Sequence, residues 1–175
     1  MLVLNVDTFL DYTQWEREKW QGWFHQHGAD VLNISAGLHG DGRFQTIGEV
    51  VRHIFSAEKR YFERLTGRAL TDTTSIPTDN VESLFEFGKQ CRHDLQQYIE
   101  TFPSQDWDIA QEYSFMNMTM KLSPRKIILQ VLTHEIRHWA QIATLLRLQG
   151  LKGDSHDFLF SPVLGDEIRK QEGKP

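Results

Sequence analysis

The most constraining feature of this sequence is the stretch at residues 123–150, which reads SPRKIILQVLTHEIRHWAQIATLLRLQG. It opens with Ser123 and Pro124, which are favoured at a helix N-cap and at the first helical position, and it closes at Gly150, a common terminating residue. Apolar residues recur between these ends at helical spacing. The pattern predicts a long amphipathic helix whose apolar stripe must be buried against other helices.

Three more segments show the same period, at residues 7–27, 46–67 and 79–102. Start and stop signals frame them, with capping-box patterns at Thr46–Glu49 and Asp79–Glu82 and breakers at Gly28, Gly67 and Pro103. Four helices of this length predict an all-α fold, a four-helix bundle. The connections are long enough for a crossover topology as well as for a plain up-and-down arrangement.

The segment at residues 108–122 does not follow a helical period. Its FMNMTMK run alternates in part, so we expect a short β-hairpin before the last long helix, turning at Met116-Asn117. After the last helix, the apolar cluster at residues 158–160 is expected to dock on the bundle. The chain of 175 residues is expected to form a single domain, with a loose tail at about residues 166–175.

Composition excludes several classes of protein. The net charge of −5 argues against a nucleic-acid partner, because phosphate binding requires a basic face. No window has the roughly 18 apolar residues that a membrane span requires, and the opening residues lack the basic start of a secretory signal. The single Cys91 rules out an internal disulfide, which suits a reducing compartment. We therefore expect a cytoplasmic protein without membrane contact.

The candidate chemistry lies in the last helix, where His134 and His138 are one turn apart on the side facing the core. Such a pair suits a divalent metal, with zinc or nickel the first choices, although each could also be an ordinary buried histidine. Glu135 should be buried beside them, so it needs a metal, a metal-bound water, a hydrogen-bond donor or a proton.

The three residues together give the H-E-x-x-H pattern of zinc proteases, in which the glutamate is the general base. A protease is nevertheless disfavoured. No third ligand follows His138 at the expected spacing, and almost no sheet is predicted that could align a peptide.

A third ligand is available upstream, because His53 flanks the apolar stripe of the second helix. His53, His134 and His138 would form a three-histidine site with open positions, as in catalytic metal centres. Glu58 also points into the core, where it could orient a ligand histidine, pair with an arginine or make a structural hydrogen bond. Cys91 is expected in the core. The other histidines are expected at the surface: His25, His27, His39, His93 and His156.

Two stretches, IGEVVRHIFSAEKRYFERLTG and LTHEIRHWAQIATLLRLQG, resemble the DinB family of four-helix metalloenzymes. The matching positions are His53, the His134/His138 pair and Gln141-Ile142. Where the family often has Arg-Gly after the last histidine, this sequence has Trp139-Ala140. The metal ligands are therefore intact, whereas any contact made by that arginine is lost.

The resemblance implies a divalent metal held by three histidines, a homodimer, a small-molecule substrate and a link to DNA-damage induction. Characterised relatives are S-transferases and isomerases that use a low-molecular-weight thiol. A neighbouring alternative is a hydrolase in which Glu135 activates a metal-bound water as the catalytic base. The alternative from another class is a non-catalytic stress-response or binding module whose metal is structural or absent.

Overall fold

The computed structural model describes residues 5–115 and 117–165. Its main elements are, in chain order, α1 (Val6–His27), α2 (Ile47–Leu65), α3 (Val81–Thr101), β1 (Gln111–Phe115), β2 (Met118–Leu122) and α4 (Pro124–Leu148). The predicted helical bundle with a short hairpin before the last helix is confirmed. In the hairpin, β1 and β2 pair antiparallel. The expected tail at residues 166–175, and Met116 of the expected turn, lie outside the described residues.

Helix starts follow the capping signals with two differences. At α2 the Thr46 hydroxyl accepts from the Glu49 N–H, as predicted, but the Glu49 carboxylate accepts from the N–H of Gln45 instead of Thr46. The predicted Asp79–Glu82 capping box is wrong by one residue. Asn80 caps α3 instead, because its side-chain oxygen accepts from the N–H of Ser83 at 2.8 Å.

The connection between α2 and α3, residues 66–80, runs back along the whole of α2. Successive hydrogen bonds step toward the start of that helix: Thr71 to Glu63, Thr73 with Ser56, and Ile76 with Arg52. Since α3 begins where this connection ends, α2 and α3 run in the same direction. The bundle therefore has the crossover topology that the long connections allowed.

Two apolar clusters fill the bundle. The larger is rich in aromatic residues and includes Trp20, Phe24, Phe55, Phe85 and Trp139. The smaller lies toward the other end and is built on Leu10, Phe62, Leu95, Ile128 and Leu132. Each helix contributes to both clusters, and its residues for one cluster precede those for the other along the chain.

A buried polar layer separates the two clusters and takes one charged residue from each helix: Arg17, Glu58, Arg92 and Glu135. Arg17 donates to Glu135 at 2.5 and 2.7 Å and to Glu58 at 2.8 Å. Arg92 donates to Glu58 at 3.0 Å and to Glu135 at 2.8 Å. Two cations face two anions, so the layer is neutral and fixes all four helices to one another.

A glycine permits the close approach that the polar layer requires. Arg17 also donates to the backbone carbonyl of Gly88 in α3 at 3.1 Å. A Cβ at Gly88 would lie 2.8 Å from the ring of Phe55 in α2, so a larger residue would push these helices apart.

In the segment after α4, His156 packs against α1, contrary to its predicted surface position. Its ring stacks on Trp20 with 4.3 Å between centroids, and its carbonyl accepts from the Tyr12 hydroxyl. The apolar cluster at residues 158–160 contacts α1 through Phe158, whose ring lies 5.1 Å from that of Tyr12. Its members remain 43–76% exposed. Docking of this cluster was therefore overestimated.

Glu16 lies buried beside this segment and is 4% exposed. Burial, together with the nearby charge of Glu135, raises its pKa to about 8. Burial also lowers the pKa of His156 to about 4, although its Nδ1 is only 3.9 Å from a Glu16 oxygen. Near neutral pH the two groups are therefore both uncharged.

The buried polar layer predicts a large cost for Arg92→Met. The substitution leaves two buried carboxylates facing one guanidinium, so we expect a loss of about 3 kcal/mol in the free energy of unfolding, measured by urea denaturation. The control is Arg125→Met, which breaks an exposed pair with Asp108 and should cost much less. Equal losses in the two variants would contradict a stabilising role for the layer.

Glu16 predicts an unusual pH dependence. The folded state keeps a proton on Glu16 up to about pH 8, whereas the unfolded chain releases it near pH 4.5, so this residue lowers stability as pH rises between those values. Glu16→Gln should therefore stabilise the protein by on the order of 2 kcal/mol at pH 7 and by little at pH 4. Thermal melts across this pH range test it, with the exposed Glu18→Gln as control; a benefit independent of pH would contradict the assignment.

Candidate metal centre

Three histidines from two neighbouring helices meet at one point. His53 comes from the second turn of α2, and His134 and His138 come from successive turns of α4. The Nε2 atom of His134 lies 3.2 Å from that of His53 and 3.1 Å from that of His138. One ligand atom from each residue lies within 4.8 Å of the other two. The structure thus brings together the three residues that were predicted from the sequence as metal ligands.

Two of the separations between these nitrogens match those expected around a tetrahedral divalent ion. Four ligands placed tetrahedrally at a zinc–nitrogen distance of 2.0–2.1 Å are separated from one another by roughly 3.3 Å. The observed separations of 3.1 and 3.2 Å are close to that value. That these histidines bind a metal remains a prediction, but the donor set and its spacing are appropriate for zinc or nickel.

A hydrogen-bond chain sets the proton position on His138. The side-chain amide of Gln141 donates through Nε2 to the backbone carbonyl of His39, so its Oε1 is left to accept from His138 Nδ1 at 2.7 Å. With its proton on Nδ1, His138 presents the lone pair of Nε2 toward the other two histidines. Ligand histidines in metal proteins commonly have such an outer partner.

All three imidazoles are neutral at physiological pH. Burial, the other two histidines and the nearby Arg43 and Arg60 lower the pKa of His53 to about 3. Burial and His138 are the main causes that lower the pKa of His134 to about 4, and burial also lowers that of His138. A metal therefore meets free lone pairs instead of competing with protons.

A cavity of about 660 Å³ opens beside the cluster, between α2, α4 and the hairpin. His53 and His134 line it, whereas His138 is buried behind them with 1% exposure. A molecule in this cavity would therefore approach the cluster from the side of His53 and His134. The size is typical of sites for small organic ligands.

Glu135 points into the polar layer of the bundle. One of its oxygens accepts from Arg17 and from the Trp139 indole, and the other accepts from Arg17 and Arg92. Burial alone would raise its pKa, but the two arginines lower the pKa below its ordinary value. The residue is thus a charged structural partner in this structure, and to act as a base it would first have to leave these contacts.

The other residues considered in the sequence analysis lie outside the histidine cluster. Glu58 pairs with Arg17 and Arg92, which was one of its predicted alternatives. Cys91 is buried in the core, as expected. Four of the five other histidines are exposed, as expected, namely His25, His27, His39 and His93. The exception is His156.

Arg17 and Arg92 were not identified from the sequence. A signal was present, because Arg17 is four residues after Thr13 and three before Trp20, on the apolar face of α1. Arg92 similarly lies between Gly88 and Leu95 on the seam of α3. A search for cations able to neutralise Glu58 and Glu135 would have found both.

Comparison with known proteins identifies the class. The DinB family model matches residues 1–169, so the chain belongs to the DinB family. A crystal structure of a DinB-like protein from Bacillus cereus ATCC 10987 has the same fold, with a TM-score of 0.61 and 17% sequence identity. The alignment covers 84% of this chain and 94% of that one. No curated protein matches the sequence, and no helix in the described part of the chain is long and apolar enough to cross a membrane.

The chain through Gln141 predicts an effect on metal affinity. Gln141→Ala removes the acceptor that keeps the proton on Nδ1 of His138, so zinc affinity should fall about tenfold, measured by competition with a chromophoric chelator. Gln141→Glu keeps an acceptor there and should retain the affinity. Gln90→Ala, on the exposed side of α3, is the control. An unchanged affinity in Gln141→Ala would show that the outer contact does not support the ligand.

Proposed function

We propose that this protein is a divalent-metal-dependent enzyme in which His53, His134 and His138 hold zinc or nickel at the end of the substrate cavity. The observation that carries the proposal is the convergence of three neutral imidazole nitrogens beside a cavity of about 660 Å³. Membership of the DinB family supports it. The residues present fit the metal in donor type, spacing and protonation.

A divalent ion in this position would lower the pKa of a bound thiol or water and favour its nucleophilic form. The three histidines leave coordination positions free for such a ligand, and Gln141 orients His138 from outside. Binding in the cavity would hold a second substrate next to His53 and His134.

Thiol transfer is the first candidate for the reaction, because the site lacks an evident base for hydrolysis. Hydrolysis by a metal-bound water needs a group that takes up a proton. Both oxygens of Glu135 are engaged by arginines, and none of the described residues that line the cavity is acidic. We therefore propose a low-molecular-weight thiol and an organic electrophile as the substrates, with Glu135 as a positioning residue.

The site also bears on the non-catalytic alternative. A structural zinc site has four protein ligands and is closed to solvent. Here three histidines form the cluster within the described residues, and two of them line an open cavity. The arrangement favours a centre that exchanges ligands. The homodimer implied by the family stays a prediction, which sedimentation analysis can test.

Metal content tests the proposal. The purified protein should hold about one divalent ion per chain by elemental analysis, and His53→Ala and His134→Ala should each lose it, while the exposed His93→Ala should keep it. The metal-loaded protein should then consume a chromogenic electrophile only when a thiol is present. Absence of bound metal, together with no rise in melting temperature on adding zinc or nickel, would overturn the proposal. Ester hydrolysis without a thiol would replace transfer by hydrolysis.

A further inference from the structure

The cavity beside the histidine cluster has an unusual charge for this protein. None of the described residues that line it is acidic. Four of them are cationic, namely Arg43, Arg60, Arg64 and Lys126. The whole chain carries a net charge of −5, so these cations are concentrated against the overall balance. A cavity lined by one sign of charge attracts ligands of the opposite sign.

Two of the four cations already have partners. Arg64 donates to the carbonyl of Ser114 at 3.0 Å and lies 4.9 Å from the ring centre of Phe115, so it ties the hairpin to α2. Arg43 lies 3.5 Å from Asp41 in an exposed ion pair.

Arg60 differs from these two. It is half-buried, and its guanidinium makes no ion pair or hydrogen bond with any residue in the described ranges. A half-buried guanidinium that no protein group occupies can accept an anion, and charge-assisted hydrogen bonds to an anion are stronger than those between neutral groups.

The position of Arg60 relates it to the histidine cluster. It follows His53 by seven residues on the same face of α2, which corresponds to about 10 Å along the helix axis. Helical side chains lean toward the start of their helix, which for Arg60 is the direction of His53. An anion on Arg60 would therefore lie one small molecule's length, or less, from the cluster. The planar fork of arginine matches a carboxylate in two-point contact.

One part of the cavity wall, on the side of the hairpin and the start of α4, is apolar. Met118 and Met120 of β2 line it although they are 58% and 39% exposed. Leu122 and Ile127 continue this wall toward α4. Methionine side chains are flexible and adapt to apolar ligands of different shapes. The wall thus offers contact to a hydrocarbon or aromatic body attached to the anion.

We propose that the cavity binds a small organic carboxylate with an apolar body. Arg60 holds the carboxylate, the methionines of β2 cover the apolar part, and the remaining end of the molecule faces His53 and His134. This inference rests on the proposed function for its catalytic meaning, since it names the class of the second substrate. Binding itself requires only Arg60 and the cavity wall.

Three probes of one shape test the inference: phenylbutyrate, phenylbutanol and phenylbutylamine. Their binding to the full-length protein is measured by titration calorimetry, as purified and after addition of zinc. Phenylbutyrate should bind about tenfold more tightly than the neutral alcohol, and the amine should bind most weakly. Equal affinity for the acid and the alcohol, or no binding of the acid, overturns the inference.

Two variants identify the binding group. Arg60→Gln should lose the tenfold preference for the acid and keep the affinity for the alcohol. The control Arg147→Gln removes the same charge from α4 outside the cavity and should behave as the unmodified protein. Met120→Glu places an anion on the partly exposed hairpin wall. It should weaken the binding of phenylbutyrate and strengthen the binding of phenylbutylamine. A preference for the acid that survives in Arg60→Gln overturns the inference, and so does binding of phenylbutyrate that is unchanged in Met120→Glu.

The two proposals fail separately. Metal analysis decides the proposed function without reference to any carboxylate. Calorimetry with the probes decides the inference without reference to metal or activity. If the protein binds the acid through Arg60 but holds no metal, the inference about binding stands and the proposed enzymatic function is overturned.

Discussion

The rest of this structure depends on one interaction, the buried ion-pair network of Arg17, Glu58, Arg92 and Glu135. Each residue comes from a different helix, so the layer sets the relative positions of all four. Buried ion pairs often contribute little net stability, and their better-attested role is to specify one arrangement among several apolar packings. Removing one member nevertheless leaves an unpaired charge in the interior, which is costly.

The same layer connects the fold to the site. Glu135 lies between His134 and His138 in sequence, and it turns inward to the arginines while the histidines turn toward α2 and the cavity. Helix α4 therefore has a structural face and a ligand face within one turn. The fixed position of α4 relative to α2 brings His53 within 3.2 Å of His134, without any direct contact from the polar layer to the three imidazoles.

Much of this architecture could be predicted from the sequence, because helical periodicity and capping residues are local signals. The four helices and the meeting of His53 with the pair on α4 followed from them, and the hairpin followed from the partial alternation of the FMNMTMK run. The partners of Glu135 did not, because they depend on which residues of α1 and α3 face α4. The H-E-x-x-H pattern suggested a base, whereas the fold supplies two arginines. Lys126, Gln130 and Thr133 lie on the polar side of α4, and they form part of the cavity wall because the hairpin lies beside them.

The central claim is that three histidines hold a metal that keeps positions open toward the cavity. X-ray absorption spectroscopy of the zinc-loaded protein, recorded with and without a small thiol, tests it most directly. The account predicts three imidazole nitrogens with light non-protein ligands, and the appearance of one sulfur at about 2.3 Å when the thiol is added. A spectrum with a fourth protein ligand that does not change with thiol, or one without imidazole scattering, would contradict it.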